Sequence, residues 1–442
     1  MPAASLTVDP AFRIGQVDPR LYGSFVEHLG RCVYTGLYEP EHETADKDGF
    51  RQDVAELVRD LGVPIIRYPG GNFVSGYHWE DGVGPADQRP TKLELAWHSI
   101  ETNQVGTDEF LRWAGGVGTD PLLAINLGTR GIDAARNLVE YCNHPGGTYW
   151  SDLRRANGSP EPYGVKVWCL GNEMDGPWQI GHQTAAEYGR LAAETARVMR
   201  LIDPGIELVA CGSSHRRMPT FGSWEATVLA ETYDVVDYVS MHAYYQQHGA
   251  DRDSFLASAA DMDQAIDEVV ATADHVRAVG RHRKRLGISF DEWNVWYVSR
   301  FQAQEEEAER GWAVAPRLLE DVYSVTDAVV VGNLLITLLR HADRVRIACL
   351  AQLVNVIAPI MTEPGGAAWR QASYHPFALT SRYGRGTVLR LEPAGDRHET
   401  AEYGDVPLLD AVAVQSSSDG GAPEGAVVVF AVNRDQRSPM AL

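Results

Sequence analysis

The stretch Val167-Trp168-Cys169-Leu170-Gly171-Asn172-Glu173-Met174, "VWCLGNEM", is an apolar run that ends in an amide and a carboxylate. A carboxylate at the end of a core strand pays for desolvation, so it needs a partner or a task. The pattern returns in "LGISFDEWNVW" (286–296), where the apolar run ends at Asp291 and Glu292. Six further runs have the same character: "YGSFVEH" (22–28), "VPIIRYPG" (63–70), "PLLAINLG" (121–128), "IELVACGS" (206–213), "DYVSMHAYY" (237–245) and "RIACLAQLVN" (346–355). Apolar along most of their length, these runs read as strands covered on both faces, as in a parallel sheet.

Segments of helical period separate them. "DGFRQDVAELVRDLG" places Phe50, Val54, Leu57, Val58 and Leu61 on one stripe and stops at Gly62. "TDEFLRWAGGVG" opens with Thr107, a side chain suited to an N-cap. "TAAEYGRLAAETARVMRLIDP" ends before Pro204, and "DMDQAIDEVVATADHVRAVG" ends at Gly280. Eight strands alternating with helices predict an α/β fold, a (β/α)8 barrel. We expect the barrel over residues 19–375. Beyond it, "VPLLDAVAVQSSSDGGAPEGAVVVFAVNRD" has two β-rich runs around a Gly/Ser/Pro turn. Residues 376–442, joined by 1–18 ("SLTVDPAFRIG" among them), are expected to form a β-sandwich.

Composition narrows the function classes. The 442 residues carry a net charge of −21, which suits a neutral substrate better than a phosphate backbone, so no nucleic-acid partner is expected. The N-terminus lacks a basic region followed by an apolar one, and the longest apolar segment, "DAVVVGNLLITLLRHAD", is too short to span a membrane; a cytoplasmic location is the expectation. Of the five cysteines, Cys32, Cys142, Cys169, Cys211 and Cys349, three sit inside apolar runs and none forms a CxxC pair. They read as buried, reduced side chains.

Barrel active sites gather at the C-terminal ends of the strands. Here those ends carry Glu27-His28, Arg67, Asn126, Asn172-Glu173, Ser213, His242 and Tyr244, Asp291-Glu292, and Gln352 with Asn355. Any one of these could be a satisfied loop group; together they predict one polar pocket. Of its carboxylates, Glu173 and Glu292 end the fourth and seventh strands and can face each other across the mouth. Such a pair divides the labour of glycoside hydrolysis: one acid protonates the leaving oxygen and one carboxylate attacks the anomeric carbon. A gap of roughly 5–5.5 Å would retain configuration and one of roughly 6.5–9.5 Å would invert it. Trp79, Trp97, Trp178, Trp293 and Trp296 follow strand ends, where some can stack on sugars and two or three pack the loops. In "RYPGGNFVSGYHWEDGVGP", Gly70-Gly71 permit close approach, so Asn72 could bond a ring hydroxyl.

No HExxH, GxxxxGK[ST], GxSxG or strand-to-helix GxGxxG pattern is present. His242 and Glu173 could ligate a metal, but the surrounding Asn, Gln, Tyr and Arg are hydrogen-bonders, so no metal is expected. On residue types alone, a barrel glycosidase on another linkage, such as a β-glucan or β-xyloside, stays open. So does a non-catalytic carbohydrate-binding protein.

The segments "GSFVEHLGRCVYTGLYEPEH", "RYPGGNFVSGYHWEDGVGP", "WCLGNEMDGPWQIGH", "SMHAYY", "SFDEWNVWY" and "ACLAQLVNVIAPI", taken in order, resemble glycoside hydrolase family 51, the α-L-arabinofuranosidases. The resemblance implies a barrel plus C-terminal β-sandwich and a retaining, cofactor-free double displacement on arabinofuranosyl-containing oligosaccharides. By motif, Glu173 resembles the general acid/base and Glu292 the nucleophile. Asn172 resembles the residue that holds the sugar 2-hydroxyl. Glu27, Arg67, Asn72, Tyr244 and Gln352 resemble ligands of the sugar or of the catalytic pair. His242 resembles a residue that orients the nucleophile, and Trp97 and Trp296 resemble apolar walls. Family members usually continue past "FAVNRD", whereas this sequence stops at "QRSPMAL". A truncated sandwich with an exposed strand edge is therefore expected, unless copies in a homo-oligomer cover it.

Overall fold

The computed structural model describes residues 4–307 and 311–442. Eight parallel strands close into a barrel: β2 (Gly23–Phe25), β3 (Ile65–Tyr68), β4 (Asp120–Ala124), β5 (Val167–Leu170), β6 (Glu207–Ala210), β7 (Tyr238–Tyr245), β8 (Gly287–Val295) and β9 (Val345–Ala351). Each pairs with its neighbour in sequence, and β9 closes the ring on β2 through Cys349↔Gly23 and Ala351↔Phe25.

The near-continuous apolar strands follow from two separate cores. Ile65, Leu122, Val167, Cys169, Val209, Ile347 and Cys349 fill the barrel interior. The alternate residues, Ile66, Leu123, Trp168, Leu208, Val239 and Leu350, pack outward into the larger core. Both faces are dry, so period-2 alternation disappears from the sequence. All five cysteines are buried and free.

The helical stripes form where expected. Helix α1 (Gln52–Leu61) buries Val54, Val58 and Leu61 and ends at Gly62, whose φ of 75° is the left-handed stop that favours glycine. Helix α2 spans Thr107–Val117, but its N-cap is Gly106 rather than Thr107, and the Gly106 N–H donates to Glu109 at 3.0 Å. The reciprocal acid three residues on does the capping that the Thr107 hydroxyl was expected to do. Helices α3 (Ala185–Ile202) and α4 (Ala259–Gly280) match the two long helical segments. Among the described residues no helix is long and apolar enough to cross a membrane.

The C-terminal part is an antiparallel sheet domain. The N-terminal strand β1 (Ser5–Gln16) lies beside β10 (Gly386–Ala394), followed by β11 (Leu409–Ser416) and β12 (Val427–Asn433). Between β10 and β11 a hairpin, Arg397–Thr400 with Gly404–Pro407, leaves the sheet. The sheet packs on helix α5 (Val325–Arg340). The expected seam at residue 375 falls inside a helix, Tyr374–Tyr383.

Candidate active site

The strand ends open into one cavity of about 680 Å3, lined by Glu27, Asn72, Trp97, Glu173, His242, Tyr244, Glu292, Trp296 and Gln352, among others. Arg67 and Asn172 are buried and do not line it. They lie beneath its floor, where Arg67 donates to Glu292 Oε1 at 2.6 Å and to Asn172 Oδ1 at 2.7 Å. The Asn172 amide group reaches Asn72 Oδ1 at 3.4 Å and Gln179 Oε1 at 3.3 Å. All eleven sequence-predicted site residues thus meet in one place, nine on the wall and two behind it.

Glu173 and Glu292 face each other. A carboxylate oxygen of each and a ring nitrogen of His242 lie within 4.8 Å of one another. Glu292 is held at both oxygens, by Arg67 on Oε1 and by the Tyr244 hydroxyl on Oε2 at 2.8 Å. Glu173 receives His242 Nδ1 at 2.8 Å and Trp178 Nε1 at 2.7 Å. Burial pushes the Glu173 carboxyl above the ordinary value, and the neighbouring Glu292 charge adds to the rise against His242 and Trp178. His242 bonds Glu173, while Glu292 stands 3.7 Å from the same nitrogen, so the closer partner is not the predicted one.

The other His242 nitrogen meets Asp291 Oδ1 at 3.1 Å. Burial opposes its charge, but Glu292, Asp291 and Glu173 outweigh this and hold its pKa near 10. Both ring nitrogens face carboxylates, Nδ1 that of Glu173 and Nε2 that of Asp291. The ligand atoms of Glu173, His242 and Glu292 lie close together, and the three side chains are also hydrogen-bonded to Trp178, Asp291, Arg67 and Tyr244.

Asp291 shares the strand end with Glu292, and the sequence assigns it no role. It is fully buried, 3.7 Å from Arg67 Nε and 3.2 Å from the Cys169 thiol, which donates to it. Burial raises its carboxyl pKa, but Arg67 and His242 more than reverse that and keep it ionised. Alternation would send only one of two adjacent residues inward. Strand β8 evades this with an extra residue: Ser289 pairs with Ser240, yet Glu292 pairs with His242. Such a bulge turns both carboxylates inward, Glu292 onto the cavity wall and Asp291 beneath it.

Glu27 is 2% exposed, with Oε1 accepting from the Phe73 N–H and the Trp97 Nε1–H, both at 2.9 Å, and Oε2 from Gln352 Nε2 at 3.1 Å. Burial, together with the nearby charges of Glu292 and Glu94, lifts its pKa to about 8 against these bonds. The Gly70-Gly71 pair explains itself here, since a side chain at Gly71 would overlap the Glu27 carboxylate. The tryptophans divide: Trp97, Trp178 and Trp296 line the cavity, while Trp79 and Trp293 are core residues. Among the other strand ends, Ser213 reaches the wall, Asn126 ties its own loop, His28 bonds Glu101 and Tyr68, and Asn355 bonds Thr362.

An eight-stranded barrel with two opposed carboxylates at the mouth defines a glycoside hydrolase. The sequence profile of the α-L-arabinofuranosidase 1 domain matches residues 57–267, and that of the α-L-arabinofuranosidase C-terminal domain matches 291–438. The chain is 60% identical over 444 residues to the intracellular exo-α-(1→5)-L-arabinofuranosidase of Streptomyces lividans, covering 100% of this chain and 66% of that protein. It thus spans just under two thirds of that relative's length. An exo-α-(1→6)-L-arabinofuranosidase of Bifidobacterium longum is 57% identical over 440 residues, with 98% of this chain and 83% of that one covered. A solved family 51 α-L-arabinofuranosidase of Bifidobacterium longum superposes with a TM-score of 0.95 at 49% identity, covering 100% of this chain and 88% of its own. The chain belongs to the family 51 α-L-arabinofuranosidases.

Proposed function

We propose that this protein is a retaining exo-α-L-arabinofuranosidase, with Glu292 as nucleophile and Glu173 as general acid/base. The observation that carries the reading is that one oxygen of Glu173 and one of Glu292 lie within 4.8 Å of each other, a close approach that favours direct attack over an intervening water. In the first step a Glu292 oxygen bonds to the anomeric carbon as the glycosidic C–O bond breaks, and the Glu173 proton passes to the departing oxygen. In the second, ionised Glu173 takes a proton from water, whose oxygen displaces Glu292 from the same carbon. Two inversions leave the configuration unchanged.

The neighbours support this division. Arg67 and Tyr244 fix the Glu292 oxygens, while burial and the Glu292 charge raise the Glu173 pKa and so favour its acid form until glycosylation removes that charge. The Trp178 N–H on Glu173 Oε2 favours the carboxylate, so this bond yields as the glycosidic oxygen arrives. Glu27, Asn72, Gln352 and the Trp296 N–H, which has no partner among the described residues, are the groups for sugar hydroxyls. In this reading Asn172 acts through Arg67 and Asn72 unless the sugar draws it into the cavity. Relatives of comparable identity bear (1→5) and (1→6) names, so linkage choice belongs to the cavity beyond the sugar. The intracellular relatives support a cytoplasmic enzyme acting on arabino-oligosaccharides.

Proton NMR of an aryl α-L-arabinofuranoside hydrolysed with methanol present is the test. First-formed α-configured methyl arabinofuranoside supports retention; the β anomer refutes it. Glu173→Ala should lower turnover by about 10²–10⁴ on poor leaving groups and far less on activated aryl ones. Glu292→Ala should fail on both, and equal losses for Glu173→Ala on both would refute its role.

A further inference from the structure

The cavity that holds the catalytic pair continues sideways. Its wall runs through Arg216, Arg217 and Phe221 to Glu402 and Tyr403. A second, open cavity of about 660 Å3 starts on those same residues and continues along helix α4 past Gln264 and Glu268. Glu402 and Tyr403 do not belong to the barrel. They form the tip of the hairpin Arg397–Thr400/Gly404–Pro407, which the C-terminal sheet domain extends over the barrel mouth.

We propose that this hairpin tip is a binding element for the leaving group, and that the passage between it and Arg216-Arg217-Phe221 takes the neutral sugar units beyond the scissile bond. The proposal rests on the glycosidase reading given above and adds to it a subsite built across two domains.

The tip is built to hold its shape. A three-residue loop joins Thr400 to Gly404, which sits at φ 64°, and the Tyr403 N–H donates to the Thr400 hydroxyl at 3.0 Å. The Glu402 N–H donates to the Ser254 hydroxyl at 3.1 Å, tying the tip to the barrel, and Arg217 lies 3.4 Å from the Glu402 carboxylate. Opposite, Arg216 is clamped by Asp261 at 2.8 Å and by both oxygens of Glu268, also at 2.8 Å. Asp261 in turn accepts from the Tyr245 hydroxyl at 3.1 Å. Phe221 and Tyr403 thus stand among two arginines and three carboxylates that are ion-paired with one another and leave one net negative charge. Paired polar groups beside aromatic rings can bond the hydroxyls of neutral polyols, and the residual negative charge disfavours an anionic ligand. The first cavity already exceeds what one pentose fills, and the second gives a chain of them a way out.

The test compares an aryl α-L-arabinofuranoside, which ends at the leaving ring, with α-1,5-arabinotetraose, whose leaving group extends into the passage. Tyr403→Ala should lower the ratio of kcat/KM on the tetraose to that on the aryl glycoside by about tenfold, mainly through KM. Arg217→Ala, an exposed position that leaves the fold intact, should lower the same ratio severalfold. A ratio unchanged in both variants overturns the proposal. Wild-type protein and both variants are also titrated calorimetrically with the mono- and tetrasaccharides of arabinose and xylose. If wild type turns over no arabinofuranoside, the activity reading fails alone, and binding decides the subsite. A tetrasaccharide bound more tightly than its monosaccharide, with that gain lost in Tyr403→Ala, supports it. No gain with chain length for either sugar overturns it.

Discussion

At the scale of single residues, the cavity is set by how burial and neighbouring charges divide its carboxyls. Asp291 and Glu173 share the His242 imidazolium, yet Asp291 is pulled below the ordinary range and Glu173 is pushed above it. The difference is Arg67, which lies beside Asp291 and Glu292 and not beside Glu173. Glu27 is the third case, a carboxyl with three donors whose burial still lifts its pKa to about 8. Its ordinary value is 4.5, so between pH 4.5 and about 8 the folded protein retains a proton that the unfolded chain releases. Stability contributed through this group is therefore full below pH 4.5 and falls as pH rises toward 8. Glu27→Gln, which cannot ionise, should show a shallower decline of Tm over that window than the wild type. Equal slopes in the two proteins would mean that Glu27 titrates as an ordinary carboxyl. Gln352 Oε1, buried without a partner among the described residues, would accept the proton of neutral Glu27 once the amide is turned over.

At the scale of elements, the loop after β3 and the bulge in β8 do the positioning. Gly71 packs flat against the Glu27 carboxylate, and a methyl group there forces that short side chain to move. Gly71→Ala should cost about 1–3 kcal/mol of stability, as overpacking does. It should also raise KM on an aryl arabinofuranoside more than it lowers kcat, since Glu27 binds and does not react; a fall in kcat alone would contradict that role. The eight strands were legible because a strand buried on both faces shows as an unbroken apolar run, and polar residues at its end mark the mouth. Glu173, Glu292, His242 and Tyr244 could be read that way. Asp291 could not be assigned, because a strict period of two gives one inward residue from an adjacent pair and the bulge is invisible in the letters. Trp79 follows a strand end as Trp97 does, yet it packs inward, and loop position alone does not say which way an indole turns; Trp293, expected in a loop, lies inside β8, which runs on to Val295. Arg67 and Asn172 were found as residues but not as a layer behind the wall, since depth is a tertiary property. The hairpin tip at Glu402-Tyr403 escaped notice because no strand-end rule points to a residue of another domain.

At the scale of the molecule, the reach of that hairpin depends on how the sheet domain is fixed to the barrel. Its anchor is a buried polar knot on α5. Asn333 donates to Asp410 at 2.7 Å, Arg434 binds Asn333 Oδ1 at 2.7 Å and Asp410 at 2.8 Å, and Arg340 pairs with Asp410 as well. Arg340 has a second counter-charge in Asp263 at 2.9 Å, whereas Asp410 is the only carboxylate paired with Arg434 among the described residues. Burial, with the Arg340 charge beside it, lowers the Arg434 pKa even with Asp410 and Asp263 opposing, so the guanidinium is costly to bury without those carboxylates. Removing one member of such a knot costs about 3–5 kcal/mol when a charge is left stranded. Arg434→Ala leaves Asp410 neutralised by Arg340 and should fall at or below the lower end of that range. Asp410→Ala strands the Arg434 guanidinium and takes a carboxylate from Arg340, so it should fall at the upper end. Calorimetric unfolding of the two variants gives the order directly. If Arg434→Ala proves the more damaging, the knot acts through the packing of the guanidinium rather than through its charge. If Asp410→Ala also separates an early transition for the sheet domain, loss of oligosaccharide preference should set in at that lower temperature, ahead of loss of aryl arabinofuranoside turnover.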